Sequence, residues 1–347
     1  MSKPRTVKVG VVGLGFGAEV HVPGYAMLPG VEVIALVGRS EDRARARAAG
    51  LGVPRGLASL VDLLDLGPDV VSLAVPPPDV APALELCLAR KVHLLCEKPL
   101  GTDLAQARSL ASAARDRVTA IDFQFGELAT FTRLGEIIAS GVMGRVRHAD
   151  VSWLTESWAA KSQTWSWKTE AGGGVLPLLA SHLFYLSERL FGRPERIWAA
   201  ASRSSSEVFA PAGALAGEDL VHYRAEHAGM VFAATIGNAN PGSTLHRWTV
   251  VFDKGTVTLE NLGRDYASGF VLSVCGGPLD GDVVREPVLA GDGRIRPFIA
   301  LAGRFIAAVR GEGAMRPNFD DGVRAMEIEQ AARQSIRYKA TIALPLP

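Results

Sequence analysis

The sequence predicts a two-domain α/β protein: an N-terminal doubly wound parallel sheet, then a C-terminal α+β domain with a large open, mostly antiparallel sheet. The first prediction rests on short, nearly continuous apolar runs that alternate with helical stretches over residues 7–123. Strands that are buried on both faces of a parallel sheet show this pattern, because helices cover both faces. The second prediction rests on later strand-like segments that turn residues, rather than helices, separate.

The elements of the first domain follow from these runs in order. Apolar, β-branched segments predict strands at Val7–Gly13, Val31–Val37, Asp69–Val75, Val92–Cys96 and Val118–Phe123. The stretches between them predict helices at Glu41–Ala49, Ser59–Leu66, Val80–Ala89 and Leu104–Ala114. Residues suited to capping helix N-termini stand at the starts of these helices, namely Ser40, Ser59, Asp79 and Asp103. We expect this domain to span residues 1–122.

The second domain is expected to span residues 123–347. Helices are predicted at Ala129–Ser140, near Leu176–Leu190, at Phe298–Arg310 and at Gly322–Arg337. Strands are predicted at Arg196–Ser204, Leu220–Ala225, Met230–Ile236, Arg247–Phe252, Thr256–Glu260 and Phe270–Val274. Strands that follow one another through short turns favour antiparallel pairing.

The composition narrows the class of protein. The chain has 347 residues, of which 48% are hydrophobic and 21% charged, enough for two apolar cores. Its 37 basic and 36 acidic residues nearly cancel, which argues against nucleic-acid or membrane partners. The three cysteines, Cys87, Cys96 and Cys275, form no CxxC pair and predict neither a disulfide framework nor a metal site. Without a signal-peptide pattern, a cytoplasmic enzyme is the expectation.

A glycine-rich turn directly follows the first predicted strand. It carries Gly13, Gly15, Phe16, Gly17 and Ala18, which is a GxGxxA fingerprint. Glycines here tighten the turn and let the backbone approach a pyrophosphate, while the following helix start offers free N–H groups. The turn therefore predicts a dinucleotide site.

The end of the second strand predicts which dinucleotide binds. An acidic residue there marks NAD, but this chain has Arg39 and Ser40. Arg39 is suited to pairing with a 2′-phosphate and Ser40 to hydrogen bonding it, so we expect NADP(H) to be preferred over NAD(H). The alternative is that Arg39 is a solvated arginine and Ser40 only a helix cap.

Four sequence features together resemble one family. They are Gly13–Ala18, His21–Pro23, the strand end Val75-Pro76-Pro77, and the element Glu97-Lys98-Pro99. This combination resembles the glucose–fructose oxidoreductase, inositol dehydrogenase and rhizopine-catabolism (GFO/IDH/MocA) oxidoreductases. Leu134–Val146, Gly172–His182 and Asn318–Gly322 are similar to further motifs of that family.

The resemblance implies a fold and an activity. The fold is a Rossmann domain followed by a large mixed sheet, through which a homodimer or homotetramer would form. The activity is hydride transfer between a nicotinamide and a hydroxyl or carbonyl carbon of a sugar-like substrate. Lys98 would hydrogen-bond the reacting oxygen, and the Lys98–Pro99 peptide is expected to be cis. The resemblance also implies cofactor contacts from Val75, Pro76, Pro77, Glu97 and Gln124, and from Val80, which replaces a histidine of the family.

The motif that ends at His182 departs from the family pattern. Many members have an aspartate four residues before this histidine, where this chain has Leu178, and an acid three residues after it, where this chain has Tyr185. A leucine cannot charge-stabilise an imidazolium. Either Lys98 and His182 alone manage the proton, with Glu156, Glu170 or Tyr185 as candidate substitutes for the acid, or the chain is a catalytically silent NAD(P)- or sugar-binding regulator.

Tryptophans precede the glycine run of that motif. Four of the six in the chain lie close together, Trp153, Trp158, Trp165 and Trp167, and Lys168 follows them. Aromatic rings pack against sugar C–H surfaces, so Trp165, Trp167 and Tyr185 are predicted substrate contacts. The resemblance implies a further contact from Lys168, because members of the family often have a basic residue near the substrate at this position. Core packing explains the tryptophans equally well. His21 is expected to be structural or cofactor-side, and His222, His227 and His246 lack the spacing of metal ligands, so no metal is expected.

Overall fold

The computed structural model describes residues 5–156, 165–203, 216–240, 242, 244–265, 267–288 and 290–347. The chain divides into two compact units. The first comprises Met1–Gln124 and Arg294–Val323, and the second Phe125–Gly293 and Arg324–Pro347. The first unit thus continues two residues beyond the expected boundary at 122, and it takes in a later segment that the sequence analysis assigned to the second domain.

The first unit contains the predicted parallel sheet. Its six strands have the order β3-β2-β1-β4-β5-β6, which is that of a Rossmann fold, and every pair of neighbours is parallel. The strands are β1 Val7–Val12, β2 Val31–Val37, β3 Gly56–Leu57, β4 Val70–Leu73, β5 His93–Cys96 and β6 Thr119–Ile121. A π-helical turn, Gly17–His21, precedes the first of the helices, which are α1 Val22–Ala26, α2 Glu41–Gly50, α3 Leu60–Asp65, α4 Pro77–Ala89 and α5 Leu104–Ala113.

Three of the four predicted helix caps are confirmed. The side chains of Ser40, Ser59 and Asp103 accept hydrogen bonds from backbone N–H groups in the first turns of α2, α3 and α5. The prediction for Asp79 is wrong, because α4 begins earlier: Pro76 occupies the N-cap position and Asp79 lies inside the first turn. A proline fits the first helical position, where its missing N–H costs no hydrogen bond.

The second unit contains a nine-stranded sheet in the order β14-β13-β12-β11-β7-β10-β9-β8-β15. Its neighbours pair antiparallel except β7 and β10, which are parallel. The strands are β7 Val146–Leu154, β8 Arg196–Ser202, β9 Leu220–His227, β10 Met230–Gly237, β11 Leu245–Phe252, β12 Thr256–Asn261, β13 Val271–Cys275, β14 Val283–Arg285 and β15 Ile342–Ala343. Two helices of this unit are α6 Ala129–Ser140 and α7 Ser181–Phe191, the latter preceded by a π-helical turn at Leu176–Ala180.

The sequence analysis missed β7, although it lies at the centre of this sheet. Its solvent-side positions include His148 and Asp150, and the buried apolar residues occupy the alternate positions Ala149, Val151 and Trp153. Nine residues with this alternation form a strand with one buried face. The charged positions concealed that pattern.

The C-terminal helices are α8 Ile295–Val309 and α9 Phe319–Tyr338. Helix α8 belongs to the first unit because its apolar face completes that core. Phe298 stacks on the ring of His21 with centroids 4.3 Å apart, and Leu301 and Phe305 are fully buried in the same cluster as Val9. The apolar periodicity of α8 predicted a helix, but it did not indicate which core the helix joins. Within the described ranges, no helix combines the length and apolarity needed to cross a bilayer.

Candidate functional site

The glycine turn after β1 has the geometry of a dinucleotide cradle. Gly13 has φ +124°, and a Cβ there would lie 2.1 Å from the carbonyl oxygen of Ala74, just after β4. A Cβ on Gly17 would lie 3.1 Å from the Cβ of Ala74, whereas one on Gly15 would have no atom within 4 Å. Gly13 and Gly17 therefore let the turn pack closely, and Gly15 leaves its backbone open to a ligand. This arrangement fits a bound pyrophosphate.

The end of β2 carries the two residues expected to select the cofactor. Nη2 of Arg39 lies 2.6 Å from Oδ2 of Asp79, in the first turn of α4. Both side chains are exposed, by 83% and 46%, so this ion pair contributes little to stability. The Oγ of Ser40 accepts a hydrogen bond from the backbone N–H of Arg43 at 3.5 Å, as a helix cap does.

The strand ends after β4 and β5 hold most other predicted cofactor residues. Val75 and Pro76 are half-buried, Pro77 is buried at the start of α4, and Val80 is only 1% exposed, so its side chain offers a ligand almost no surface. Half-buried Glu97 and Lys98 follow β5, and the Lys98–Pro99 peptide is cis, as the resemblance implies.

Glu97 belongs to a buried cluster that the sequence analysis did not find. Nε2 of His21 lies 3.4 Å from Oε1 of Glu97 and 3.4 Å from Oδ2 of Asp122. The side chains of His21 and Asp122 are fully buried, and that of Glu97 is 15% exposed. The Nδ1 of His21 lies 2.9 Å from Oγ of Ser72, and this Oγ accepts a hydrogen bond from the hydroxyl of Tyr25.

The charges of this cluster shift one another. Burial lowers the pKa of His21, but the two carboxylates outweigh burial and leave it raised. Burial raises the pKa of Glu97, but hydrogen bonding and charge from His21, with the Lys98 ammonium, leave it lowered. Burial and the charge of Glu97 raise the pKa of Asp122 to about 7. The trio thus places a proton that titrates near neutrality beside Glu97.

Gln124 is the last residue of the N-terminal segment of the first unit, Met1–Gln124. Its side chain is 3% exposed, and within the described ranges its Oε1 has no hydrogen-bond partner. A buried amide oxygen without a donor costs free energy, which a ligand N–H would recover. This geometry fits the polar contact to a nicotinamide or a substrate that the resemblance implies.

In the second unit, the glycine run positions the helix of His182. A Cβ on Gly173 would lie 2.3 Å from the carbonyl oxygen of Ser166, and one on Gly174, at φ +106°, would lie 2.7 Å from Oε1 of Glu218. Both glycines are therefore required by close packing. Glu218 is 2% exposed, and its Oε1 accepts a hydrogen bond from the N–H of Leu176 at 3.0 Å. The carboxylate thus satisfies a free N–H where the π-helical turn begins.

His182 lies in an aromatic environment. It is 5% exposed, and its ring centroid lies 4.9 Å from that of Phe125 and 6.1 Å from that of Trp153. Leu178 is 9% exposed, so the position that is acidic in many members is here buried and apolar. Tyr185 is half-buried on the same helix as His182. The two other candidate acids are an ion-paired Glu156, 3.4 Å from Nη2 of Arg264, and an exposed Glu170.

A second histidine, His246, shares this aromatic environment and was missed. Its ring stacks on Trp153 with centroids 4.3 Å apart and planes at 5°, and it lies 5.8 Å from Phe125. Its Nε2 accepts a hydrogen bond from the indole N–H of Trp248 at 2.9 Å, so the neutral ring carries its proton on Nδ1. That Nδ1 has no partner in the described part of the chain, and burial lowers the pKa of His246 to about 3. The alternation of buried positions along β11, His246, Trp248, Val250 and Phe252, was the available signal.

The predicted aromatic substrate wall is only partly exposed. Trp165 and Lys168 are half-buried, but Trp167 is 3% exposed and so packs in the interior. Their main chain supports the glycine run, because Lys168 and Ser166 accept hydrogen bonds from the N–H groups of Gly173 and Gly174, at 2.8 and 3.0 Å. Trp153 lies on the buried face of β7, and Trp158 lies outside the described residues.

A Rossmann unit with an open glycine turn, joined in one chain to a unit with a large mixed sheet, is the architecture of a two-domain dinucleotide-binding protein. Residues 7–122 match the family model described as the oxidoreductase family with an NAD-binding Rossmann fold. Residues 131–258 match the GFO/IDH/MocA C-terminal domain. The chain therefore belongs to the GFO/IDH/MocA oxidoreductase family, and it is an NAD(P)-dependent oxidoreductase.

Relatives by sequence are named as oxidoreductases. An uncharacterized oxidoreductase of Synechocystis is 27% identical over 99% of this chain and 98% of that protein. The trans-1,2-dihydrobenzene-1,2-diol dehydrogenase of Mus musculus is 30% identical, over 54% of this chain and 58% of that protein. The second alignment covers too little of either chain to transfer an activity.

Solved structures share the fold over the whole chain. Levoglucosan dehydrogenase in complex with NADH and levoglucosan has a TM-score of 0.86 at 19% identity, over 99% of this chain and 100% of that one. GenD2 from gentamicin A biosynthesis, in complex with NAD, has a TM-score of 0.82 at 23% identity, over 100% of this chain and 98% of that one. At these identities the likeness establishes the fold alone.

Proposed function

We propose that this protein is an NADP(H)-dependent oxidoreductase that transfers hydride between nicotinamide and a hydroxyl or carbonyl carbon of a sugar-like substrate. The observation that carries the proposal is where two elements lie in the first sheet. The open glycine turn follows β1 and Lys98 follows β5, with only β4 between these strands. Ligands of open parallel sheets bind at this carboxyl edge.

We assign proton transfer and stabilisation of the reacting oxygen to Lys98 and His182. A bound nicotinamide supplies or accepts the hydride. The Lys98 ammonium would hydrogen-bond the reacting oxygen and stabilise the negative charge that develops there during reduction. His182 would exchange the hydroxyl proton, without the aspartate that Leu178 replaces.

The NADP preference is supported by Arg39. Among the residues that the structure describes, its guanidinium pairs with Asp79, in an exposed contact that is weak enough for a 2′-phosphate to compete with. Ser40, at the start of α2, would add a hydroxyl hydrogen bond to the same phosphate. The remaining predicted cofactor contacts are the Gly13–Ala18 turn, Val75, Pro76, Pro77, Glu97 and Gln124.

A carbohydrate-like substrate is supported by half-buried aromatic side chains in the second unit. Trp165 and Tyr185 retain surface for contact with a sugar ring, and Lys168 adds a cation, whereas buried Trp167 would support them from behind. Names of several relatives are consistent with this class. The structure of WlbA from Bordetella pertussis contains UDP-GlcNAcA, and a relative from Streptomyces violaceoruber is a dTDP-sugar 3-reductase.

We further propose that the protein forms a homodimer or homotetramer through the nine-stranded sheet. One face of this sheet carries the buried core side chains, while the other exposes Trp198 by 41% and leaves residues such as Val231 and Leu245 half-buried. Light scattering at several protein concentrations tests this. The three free cysteines, Cys87, Cys96 and Cys275, fit a reducing compartment, and we propose a cytoplasmic location.

One observation favours a second candidate function. Leu178 removes the usual acid from the His182 helix, which is compatible with a regulator that binds NAD(P) or a sugar without turning over. The test is to mix the protein with NADPH or NADH and a panel of ketosugars and follow nicotinamide absorbance. Turnover that Lys98→Met and His182→Asn each reduce supports the oxidoreductase. Tight NADPH binding without turnover on any substrate supports the regulator.

A further inference from the structure

The buried trio of His21, Glu97 and Asp122 is not explained by packing alone. These side chains come from three separate elements of the first unit: the π-helical turn after β1, the end of β5 and the end of β6. One side-chain nitrogen or oxygen atom of each residue lies within 4.8 Å of those of the other two. Burying three titratable groups together is costly unless their charges and protons are matched.

Both ring nitrogens of His21 face polar groups. Nδ1 lies 2.9 Å from Oγ of Ser72, a hydroxyl that can accept a hydrogen bond from Nδ1 or donate one to it. The other nitrogen, Nε2, lies 3.4 Å from a carboxylate oxygen of Glu97 and 3.4 Å from one of Asp122, and an ionised carboxylate can only accept, so Nε2 carries a proton. The two carboxylates favour the ring form in which Nδ1 is protonated as well, and this imidazolium is a cation. Phe298 holds this ring by stacking at 4.3 Å, and Phe16 contacts its edge at 5.4 Å.

The remaining charges decide where the variable proton lies. Glu97 faces two cations, His21 and the ammonium of the next residue, Lys98, and so remains ionised. Fully buried Asp122 faces His21, whose Nε2 lies 3.4 Å from Oδ2, together with the Glu97 carboxylate and neutral Tyr25. The nearby helix α8 presents neutral Phe298 to His21, and its preceding residue Arg294 pairs instead with Glu19. Asp122 is therefore the group of the cluster that gains or loses a proton near pH 7.

We propose that His21, Glu97 and Asp122 form a proton-sharing cluster that positions Lys98 and adjusts the negative charge beside it. This inference rests on the proposed function, in which Lys98 stabilises the reacting oxygen. His21 and Asp122 are positioning residues, because they act through Glu97. When Asp122 is protonated, the His21 cation is balanced by Glu97 alone. When Asp122 loses its proton, the cluster gains a negative charge that opposes an oxyanion at Lys98.

The first test is the pH profile of carbonyl reduction by wild type and Asp122→Asn. The matched control is Asp65→Asn, which makes the same chemical change at an exposed position on α3. The wild-type kcat is expected to fall as the pH rises through about 7. Asp122→Asn, which imitates the protonated carboxyl, should abolish that fall and change KM less than about twofold. If Asp122→Asn shows the same inflection near pH 7 as the wild type and Asp65→Asn, the positioning role is overturned. The proposed function would still stand in that case, because all three proteins would turn over substrate.

The second test does not need turnover. Because the pKa of Asp122 is raised from 3.8 to about 7, unfolding releases a proton between these values, and the wild type loses stability there as the pH rises. In denaturant titrations the midpoint of the wild type should therefore fall relative to that of Asp122→Asn over this range. If turnover is absent but this difference is present, the proposed function fails and the cluster stands.

Two wild-type measurements guard against a variant that does not fold. Nitrogen NMR of His21 at pH 6 should show both ring nitrogens protonated, because the pKa of this ring is raised above 6.5, and a neutral ring at that pH contradicts the proposal. Elemental analysis of the purified protein is expected to find no stoichiometric transition metal. A metal that is bound at one equivalent and lost in Asp122→Asn would show that the trio is a metal site, and it would overturn the proton-sharing account.

Discussion

Arg39 and Asp79 form an ion pair, with Nη2 and Oδ2 2.6 Å apart, between the segments that follow β2 and β4. These strands lie on either side of β1 in the sheet, so the pair flanks the glycine turn from both sides. The same pair gives opposite expectations for its two members. Arg39 attracts a 2′-phosphate, whereas Asp79 repels it and competes for the guanidinium.

Arg39→Ala is expected to weaken NADPH binding by about 10- to 100-fold, since a charge-assisted contact to phosphate is lost. NADH affinity should change less than about threefold. Asp79→Asn should instead strengthen NADPH binding by severalfold. Calorimetric Kd values for both cofactors in the three proteins check this prediction. Equal losses for NADPH and NADH in Arg39→Ala would contradict an NADP preference that is carried by this residue.

Two glycines of the same turn separate folding from binding. Gly13→Ala forces a Cβ to 2.1 Å from a backbone oxygen at a positive φ, so a loss of about 3 kcal/mol or more in unfolding free energy is expected. Gly15→Ala meets no atom within 4 Å and should leave stability within about 0.5 kcal/mol of wild type. It should nevertheless weaken NADPH binding at least tenfold, because the added methyl occupies the pyrophosphate approach. Unchanged NADPH binding in Gly15→Ala would argue against the cradle.

Leu178→Asp places a carboxylate four residues before His182, at a 9% exposed position. Burying that charge is expected to lower stability by about 1–3 kcal/mol. The negative charge should also raise the pKa of His182 relative to wild type. Leu178→Asn is the control, because it has a similar shape without the charge. NMR titration of His182 that gives the same pKa in both variants would show that the two positions do not interact.

His246 predicts an acid-dependent loss of stability. Burial lowers its pKa from 6.5 to about 3. Between pH 6.5 and pH 3, His246 is therefore protonated in the unfolded chain but neutral in the folded chain. Its contribution to stability is therefore full above pH 6.5 and lost as the pH falls toward 3, by about 2–3 kcal/mol at pH 4.5. In His246→Asn the unfolding free energy should vary less over this window. The exposed His222→Asn should keep the wild-type slope, and identical slopes in all three proteins would refute the assignment.

The sequence predicted the first sheet well because its strands are buried on both faces and read as continuous apolar runs. It missed β7 because the charged side chains on one face of that strand conceal the apolar alternation on the other. It could not assign α8 to the first unit, since an apolar helix face does not specify which core it covers. The environments of Asp122, Glu218 and His246 are formed by neighbours that are distant in sequence. No local sequence pattern could therefore predict them. Motifs, by contrast, singled out the glycine turn, Lys98 and His182 as candidates.

The most direct test of the central claim is a single-turnover experiment with NADPH and an active ketosugar, in wild type, Lys98→Met and His182→Asn. The account predicts rapid loss of nicotinamide absorbance in the wild type. It also predicts slowing by about 100-fold or more in each variant with nearly unchanged NADPH affinity, because both groups act in the transition state. Turnover that survives both substitutions at the wild-type rate would contradict the account.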